Sequence, residues 1–182
     1  MLPLIVVAPM LGAAVAALLP PGRLPWLWAT AVSWFMLWAA ATLAAQAMDL
    51  GVLSYWMGGW EPPVGIEYRL DPANALLALL ISLLEAVVLP FAGPSLASEV
   101  PERKSPYLYA ALLLFLAGQM GISVTGDAFN VFVFLEISSL ATYTLIGLGR
   151  NRRALTASFS YLIMGTVGAT FFLIGVGLLY AL

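Results

Sequence analysis

Six apolar stretches follow one another along the sequence, at about 2–19, 26–48, 73–98, 107–124, 128–149 and 155–182. Each comes close to the roughly 20 residues that a helix needs to cross about 30 Å of hydrocarbon. Backbone N–H and C=O groups find no water inside a bilayer, so a crossing segment must satisfy them internally, and a helix does. Pro20, Pro21 and Gly22 end the first stretch, "PERKSP" (101–106) parts the third from the fourth, and "RNRR" (150–153) parts the fifth from the sixth. Only 9% of the residues are charged and 63% are hydrophobic; a water-facing surface takes about 25% charged residues. The expected fold is therefore all-α and integral to the membrane, one transmembrane domain of six helices over 1–182. The first stretch lacks the basic leading segment of a secretory signal and is retained as a helix.

Basic residues stay on the cytoplasmic side of a membrane. Arg23, Arg103, Lys104, Arg150, Arg152 and Arg153 fall in the first, third and fifth connections, whereas the second and fourth hold only Arg69. This six-to-one asymmetry places the N-terminus outside. The second connection, 49–72, is the only sizeable one and is external. In it Ile66, Tyr68 and Leu70 alternate with Glu67, Arg69 and Asp71, a half-buried strand pattern. "SYWMGGW" (54–60) is placed to pair with it as a hairpin, and Trp56 and Trp60 equally suit the interfacial belt. No binding pocket is read in this loop.

The sequence contains no Cys and no His. Disulfides, zinc sites, iron–sulfur clusters and His-ligated haem are excluded within the chain, as are nucleophilic triads built on those residues. Seven Lys and Arg leave no basic groove for nucleic acid. No cofactor, metal site or catalytic residue is read.

The fifth stretch, "AFNVFVFLEISSLATYTLIGLG", carries Glu136 near its middle. An ionised acid at the bilayer centre costs roughly 2.5 to 3.5 kcal/mol on insertion scales, and such residues mark ion pathways by default. Residues three, four and seven apart share a helix face. Ser139 and Tyr143 therefore continue the Glu136 face toward the cytoplasm, and Val133, Phe132 and Phe129 continue it outward as a dry wall. This face is expected to be a half-channel, wet inward and closed outward. Ser138, Thr142 and Thr144 lie on neighbouring arcs, although such hydroxyls commonly bond to their own helix carbonyls. Against this stands a structural role, Glu136 as a neutral interhelical hydrogen-bonding group.

Glu85 is a second acid midway along its stretch, either a relay member or a packed, neutral group. Pro90 and Pro94 follow it and are expected to kink or break the helix. Asp127 precedes the fifth helix as its cap. Gly165, Gly168, Gly175 and Gly177 give the sixth helix a packing face. A proton carrier has to alternate between charged and neutral forms, and a movable cation is one way to drive this. The single Lys, Lys104, lies in a connection and no span holds a basic residue, so the counter-charge is expected from another helix or chain.

The stretch "TGDAFNVFVFLEISSLATYTLI" (125–146) resembles the antiporter-like membrane subunits shared by Mrp-type cation/proton antiporters, respiratory complex I and membrane-bound hydrogenases. "GGWEPPVGIEYRLDPANALLALL" (58–80) is similar to the external loop and third helix of the Mrp D-type protein. The resemblance implies a fourteen-helix fold, three helices followed by two inverted five-helix repeats, of which six helices are represented here. It places the family's helix-five glutamate at Glu136 and implies a lysine on helix seven as its partner. Glu85 matches no family motif. The implied function is proton translocation within a multisubunit Mrp-type Na⁺(cation)/H⁺ antiporter in a bacterial or archaeal inner membrane. The implied partners are further membrane subunits, protons, Na⁺ and the lipid bilayer, and a split or truncated subunit completed by another polypeptide is expected. The alternatives are a membrane-arm subunit of NADH-quinone oxidoreductase or a hydrogenase, with electron transfer elsewhere, and a structural or assembly subunit without a transport path. A small-substrate carrier would show matched broken helices in two halves, and no such repeat is found.

Overall fold

A computed structural model describes residues 1–62, 64–96 and 99–181. Pro63 of the external loop, Ala97 and Ser98 at the end of the third stretch and Leu182 lie outside the described residues. The described residues form six α-helices, α1 (Leu4–Leu18), α2 (Arg23–Leu50), α3 (Pro72–Leu96), α4 (Ser105–Val124), α5 (Ala128–Gly147) and α6 (Arg152–Tyr180). A hairpin of two strands, β1 (Leu53–Trp56) and β2 (Glu67–Leu70), stands between α2 and α3. Helices α2 to α6 are long and apolar enough to cross a membrane. With 15 residues, α1 spans only about 22 Å at 1.5 Å per residue. It is the short sixth member of an all-α membrane fold.

Helix α4 is the hub, packed against α1, α2, α3 and α5, while α6 rests on α5. Lipid tails are as apolar as Leu, so helices in a membrane associate through close packing, which small residues permit. Helix α4 supplies them: Ala110, Ala111, Ala117, Gly118 and Gly121 are all buried beside Leu113, Leu116 and Met120. By contrast, Leu83, Leu84, Val87, Val88 and Phe91 of α3 face outward.

The two ends of the bundle are chemically distinct. At one end the connections that carry the basic residues meet, where Gly22 N–H donates to Ser105 Oγ (3.2 Å) and Arg150 N–H to the Glu99 carbonyl (3.3 Å). At the other end lies the hairpin, antiparallel, with Leu53 opposite Leu70 and Trp56 opposite Glu67. Tyr68 and Leu70 are buried and Arg69 is exposed, as the alternation predicts, whereas Ile66, just before the strand, is exposed. Gly58 and Gly59 have φ of 66° and 78°, conformations that side chains rarely tolerate, and they turn the chain. The hairpin is tied down by Gly126 N–H donating to the Glu67 carbonyl (2.9 Å) and by the Tyr68 ring, 6.3 Å from that of Phe134.

Two expectations are sharpened by the structure. Pro90 and Pro94 do not break helix α3, which continues through them to Leu96. Trp26 of α2 braces it, the indole N–H donating to the Leu89 carbonyl (2.9 Å). On α6, only Gly165 makes a close approach to a neighbour, while an added Cβ at Gly168, Gly175 or Gly177 would meet nothing within 4 Å.

Candidate functional site

Helix α5 begins where the Asp127 carboxylate accepts from the backbone N–H groups of Phe129 and Asn130 (3.4 and 3.0 Å), the capping predicted from its position. The Asp127 carboxylate also accepts from the Tyr180 hydroxyl, which ties the far end of α6 to the start of α5. Asn130, Phe134, Ser138 and Ala141 form the buried stripe. The stripe faces α4 because Gly118 and Gly121 leave room for Ser138 and Phe134.

That packing fixes the rotation of the helix. At about 100° per residue, Glu136 lies roughly 200° round from Phe134 and therefore away from α4. Tyr143, seven residues on, returns to the Glu136 side, and it is there that α6 packs. The Tyr143 ring meets that of Tyr161 edge-on at 5.5 Å, and its hydroxyl occupies the space left open by Gly165. Ser158 Oγ of α6 donates to the Tyr143 carbonyl (2.7 Å). From Glu136 toward the basic end the face thus runs past half-buried Ser139 to Tyr143, buried against Tyr161.

Glu136 itself is half-buried, and its Oε1 is enclosed without a hydrogen-bond partner among the described residues. The hydroxyls on neighbouring arcs are engaged elsewhere: Ser138 donates to the Leu135 carbonyl (3.3 Å), Thr142 to Ser138 (2.8 Å) and Thr144 to Leu140 (2.9 Å). They keep lone pairs for accepting but do not reach toward Glu136. The outward wall is looser than expected. Phe129 and Phe132 contact each other at 6.2 Å, but Phe129 and Val133 are exposed.

Glu85 is not brought to this site. It sits on α3, which packs against α2 and α4, whereas α5 packs against α4 and α6. Its Oε1 is likewise enclosed without a partner among the described residues, as is Thr30 Oγ1 of α2. A cavity of about 370 Å³ between α1, α4 and α5 is lined by Ile137, Leu140 and Thr144, and Glu136 is not part of its wall. A second, of about 360 Å³, lies at the hairpin end between Glu67, Asp127 and Tyr180. No local pattern in the sequence announces it, because its walls come from the loop, the start of α5 and the end of α6.

A family model described as "NADH:quinone oxidoreductase/Mrp antiporter, TM" matches residues 125–182, the segment that holds Glu136. The NADH-quinone oxidoreductase subunit N of Desulforudis audaxviator is 42% identical over 187 residues, covering 98% of this chain and 36% of that protein. The D-type component of the Na⁺/H⁺ antiporter of Alkalihalophilus pseudofirmus is 33% identical over 147 residues, covering 81% of this chain and 29% of its own length. Among solved structures, the archaeal membrane-bound sulfane sulfur reductase, a respiratory membrane complex, superposes with a TM-score of 0.90. It is 28% identical, and the match covers 99% of this chain and 37% of the other. The chain spans about a third of the length of the relatives it matches.

Proposed function

The chain belongs to the antiporter-like family of membrane subunits found in Mrp antiporters and NADH-quinone oxidoreductases, and from that premise we propose that it carries protons, with Glu136 as the group that takes them up and releases them. One observation carries the reading. Midway along α5, inside the segment the family model matches, an acid presents an enclosed oxygen that no described residue satisfies. A buried polar atom left unsatisfied is costly, and a transport group has reason to tolerate that cost.

Switching needs a cation that comes and goes. A nearby positive charge favours the carboxylate and expels the proton; its withdrawal favours the neutral acid, and a proton returns. Lys104, the one lysine, sits at the basic end in a 3-10 turn (Glu102–Lys104). The working amine therefore comes from another segment or subunit. Ser139 and the Tyr143–Tyr161 pair lie between Glu136 and the cytoplasmic end, where they gate or relay the proton.

In the first reading the assembly is a multisubunit Mrp-type antiporter exchanging Na⁺ or another cation for protons, in a bacterial or archaeal inner membrane. The relative named subunit N, 42% identical over nearly the whole chain, favours a second reading. There the chain serves the membrane arm of a quinone oxidoreductase whose electron transfer takes place in other subunits. Everted vesicles holding the assembled complex test the proposal. Glu136→Gln keeps hydrogen bonding and removes ionisation, so the complex is expected to assemble while dye-reported proton movement is lost. Normal proton movement in that variant would overturn the reading. Dependence on added Na⁺ rather than on NADH selects the first assembly over the second.

A further inference from the structure

Glu136 is not the only acid enclosed within the bundle. Helices α2 and α3 run antiparallel, and their register is set by Trp26, whose indole N–H bonds to the Leu89 carbonyl and whose ring fills the space beside Gly93. One helical turn inward from Trp26 is Thr30, and one turn inward from Leu89 is Glu85. The two therefore stand at the same depth in the seam. Thr30 Oγ1 and Glu85 Oε1 are both enclosed without a hydrogen-bond partner among the described residues. A third polar group joins them. Pro90 has no N–H, so the Ala86 carbonyl, next to Glu85 in sequence, loses the donor that the helix would have given it.

We propose that Glu85 is a second proton-binding site, its neutral carboxyl bridged to Thr30 by an internal water in the α2–α3 seam. An internal water needs two to four polar partners, and the carboxyl, the threonine hydroxyl and the Ala86 carbonyl supply three. A neutral acid fits the setting because an isolated carboxylate out of water is far less favourable. The charged groups on the packed helices stand at helix ends, while Tyr109 of α4 shares a packed cluster with Leu89 and Trp26. Helix α2 carries Arg23 at its first residue and Asp49 near its last, α4 carries Tyr107 and Tyr109 near its start at the basic end, and α3 has no other ionisable residue. The site does not depend on Glu136. It holds a proton in the α2–α3 pair whether or not α5 moves one.

Infrared spectroscopy of the chain, purified with the partners it keeps in its own membrane, tests this. The difference spectrum between wild type and Glu85→Gln at neutral pH is expected to contain a neutral carboxylic C=O band. Thr30→Val, which removes the hydroxyl, is expected to shift that band to higher frequency, and Thr30→Ser to leave it in place. The threonine pair reads the same band without altering the acid, so the test survives if Glu85→Gln fails to fold. A carboxylate signal for Glu85, or a band indifferent to Thr30→Val, would overturn the proposal. Neither result bears on transport through Glu136.

Discussion

A Cβ placed on Gly121 would lie 2.2 Å from ring carbons of Phe134, and one on Gly118 would lie 2.6 Å from Ser138 Cβ and 2.8 Å from its backbone nitrogen. The second obstacle is the harder one, because a backbone cannot rotate aside. These two glycines set the distance between α4 and α5 and, through it, the rotation that turns Glu136 away from α4. Gly118→Ala is therefore expected to destabilise the bundle by about 1–3 kcal/mol, the usual cost of overpacking. Gly168→Ala serves as the comparison: it meets open space, and replacing a helical Gly by Ala gains about 1 kcal/mol of propensity. Unfolding midpoints in mild detergent measure both. A Gly118→Ala variant as stable as the parent would mean that the α4–α5 spacing is not set at this glycine.

Among the elements, α5 depends most on a single side chain at its start. Asp127 satisfies two N–H groups that the helix leaves without partners and also accepts from Tyr180. Asp127→Ala is expected to cost about 0.5–2 kcal/mol, whereas Asp127→Asn, an equally good cap, keeps most of that stability. Hydrogen exchange at the Phe129 and Asn130 amides reads the difference directly, and equal protection in the two variants would argue against capping. Asp127 was legible in the sequence because a cap is local, an acid at the edge of an apolar run. The β2 strand was legible for the same reason, through the alternation of Tyr68 and Leu70 with Glu67 and Arg69. Glu136 stood out as an acid in an apolar stretch. Its surroundings did not, because a membrane helix is apolar on both its lipid and protein faces, so hydropathy does not reveal which face meets which neighbour. Hence the contact of Tyr143 with Gly165, the depth shared by Thr30 and Glu85, and the continuation of α3 past Pro90 all emerge only from packing between helices.

At the scale of the whole molecule, the alternation of the six helices gathers Arg23, Arg103, Lys104 and Arg150 at one end and the β1–β2 hairpin with its acids at the other. The basic end should face the cytoplasm, where such residues are retained during insertion. If it does, Ser139 and Tyr143 lie on the cytoplasmic side of Glu136 and the hairpin covers the outside, so the direction of any proton path follows from the orientation. The absence of Cys makes this testable without a prior mutational background. Single replacements at exposed positions, Glu61→Cys beyond the hairpin turn and Glu102→Cys or Arg153→Cys at the basic end, each introduce one thiol. In intact cells a membrane-impermeant maleimide is expected to label the first, and to label the other two only after the membrane is opened. The opposite pattern would invert the molecule and place the Tyr143–Tyr161 pair on the external side of Glu136. Equal labelling of all three in intact cells would signal mixed insertion, the outcome if a six-to-one excess of basic residues fails to fix the orientation of helices this apolar.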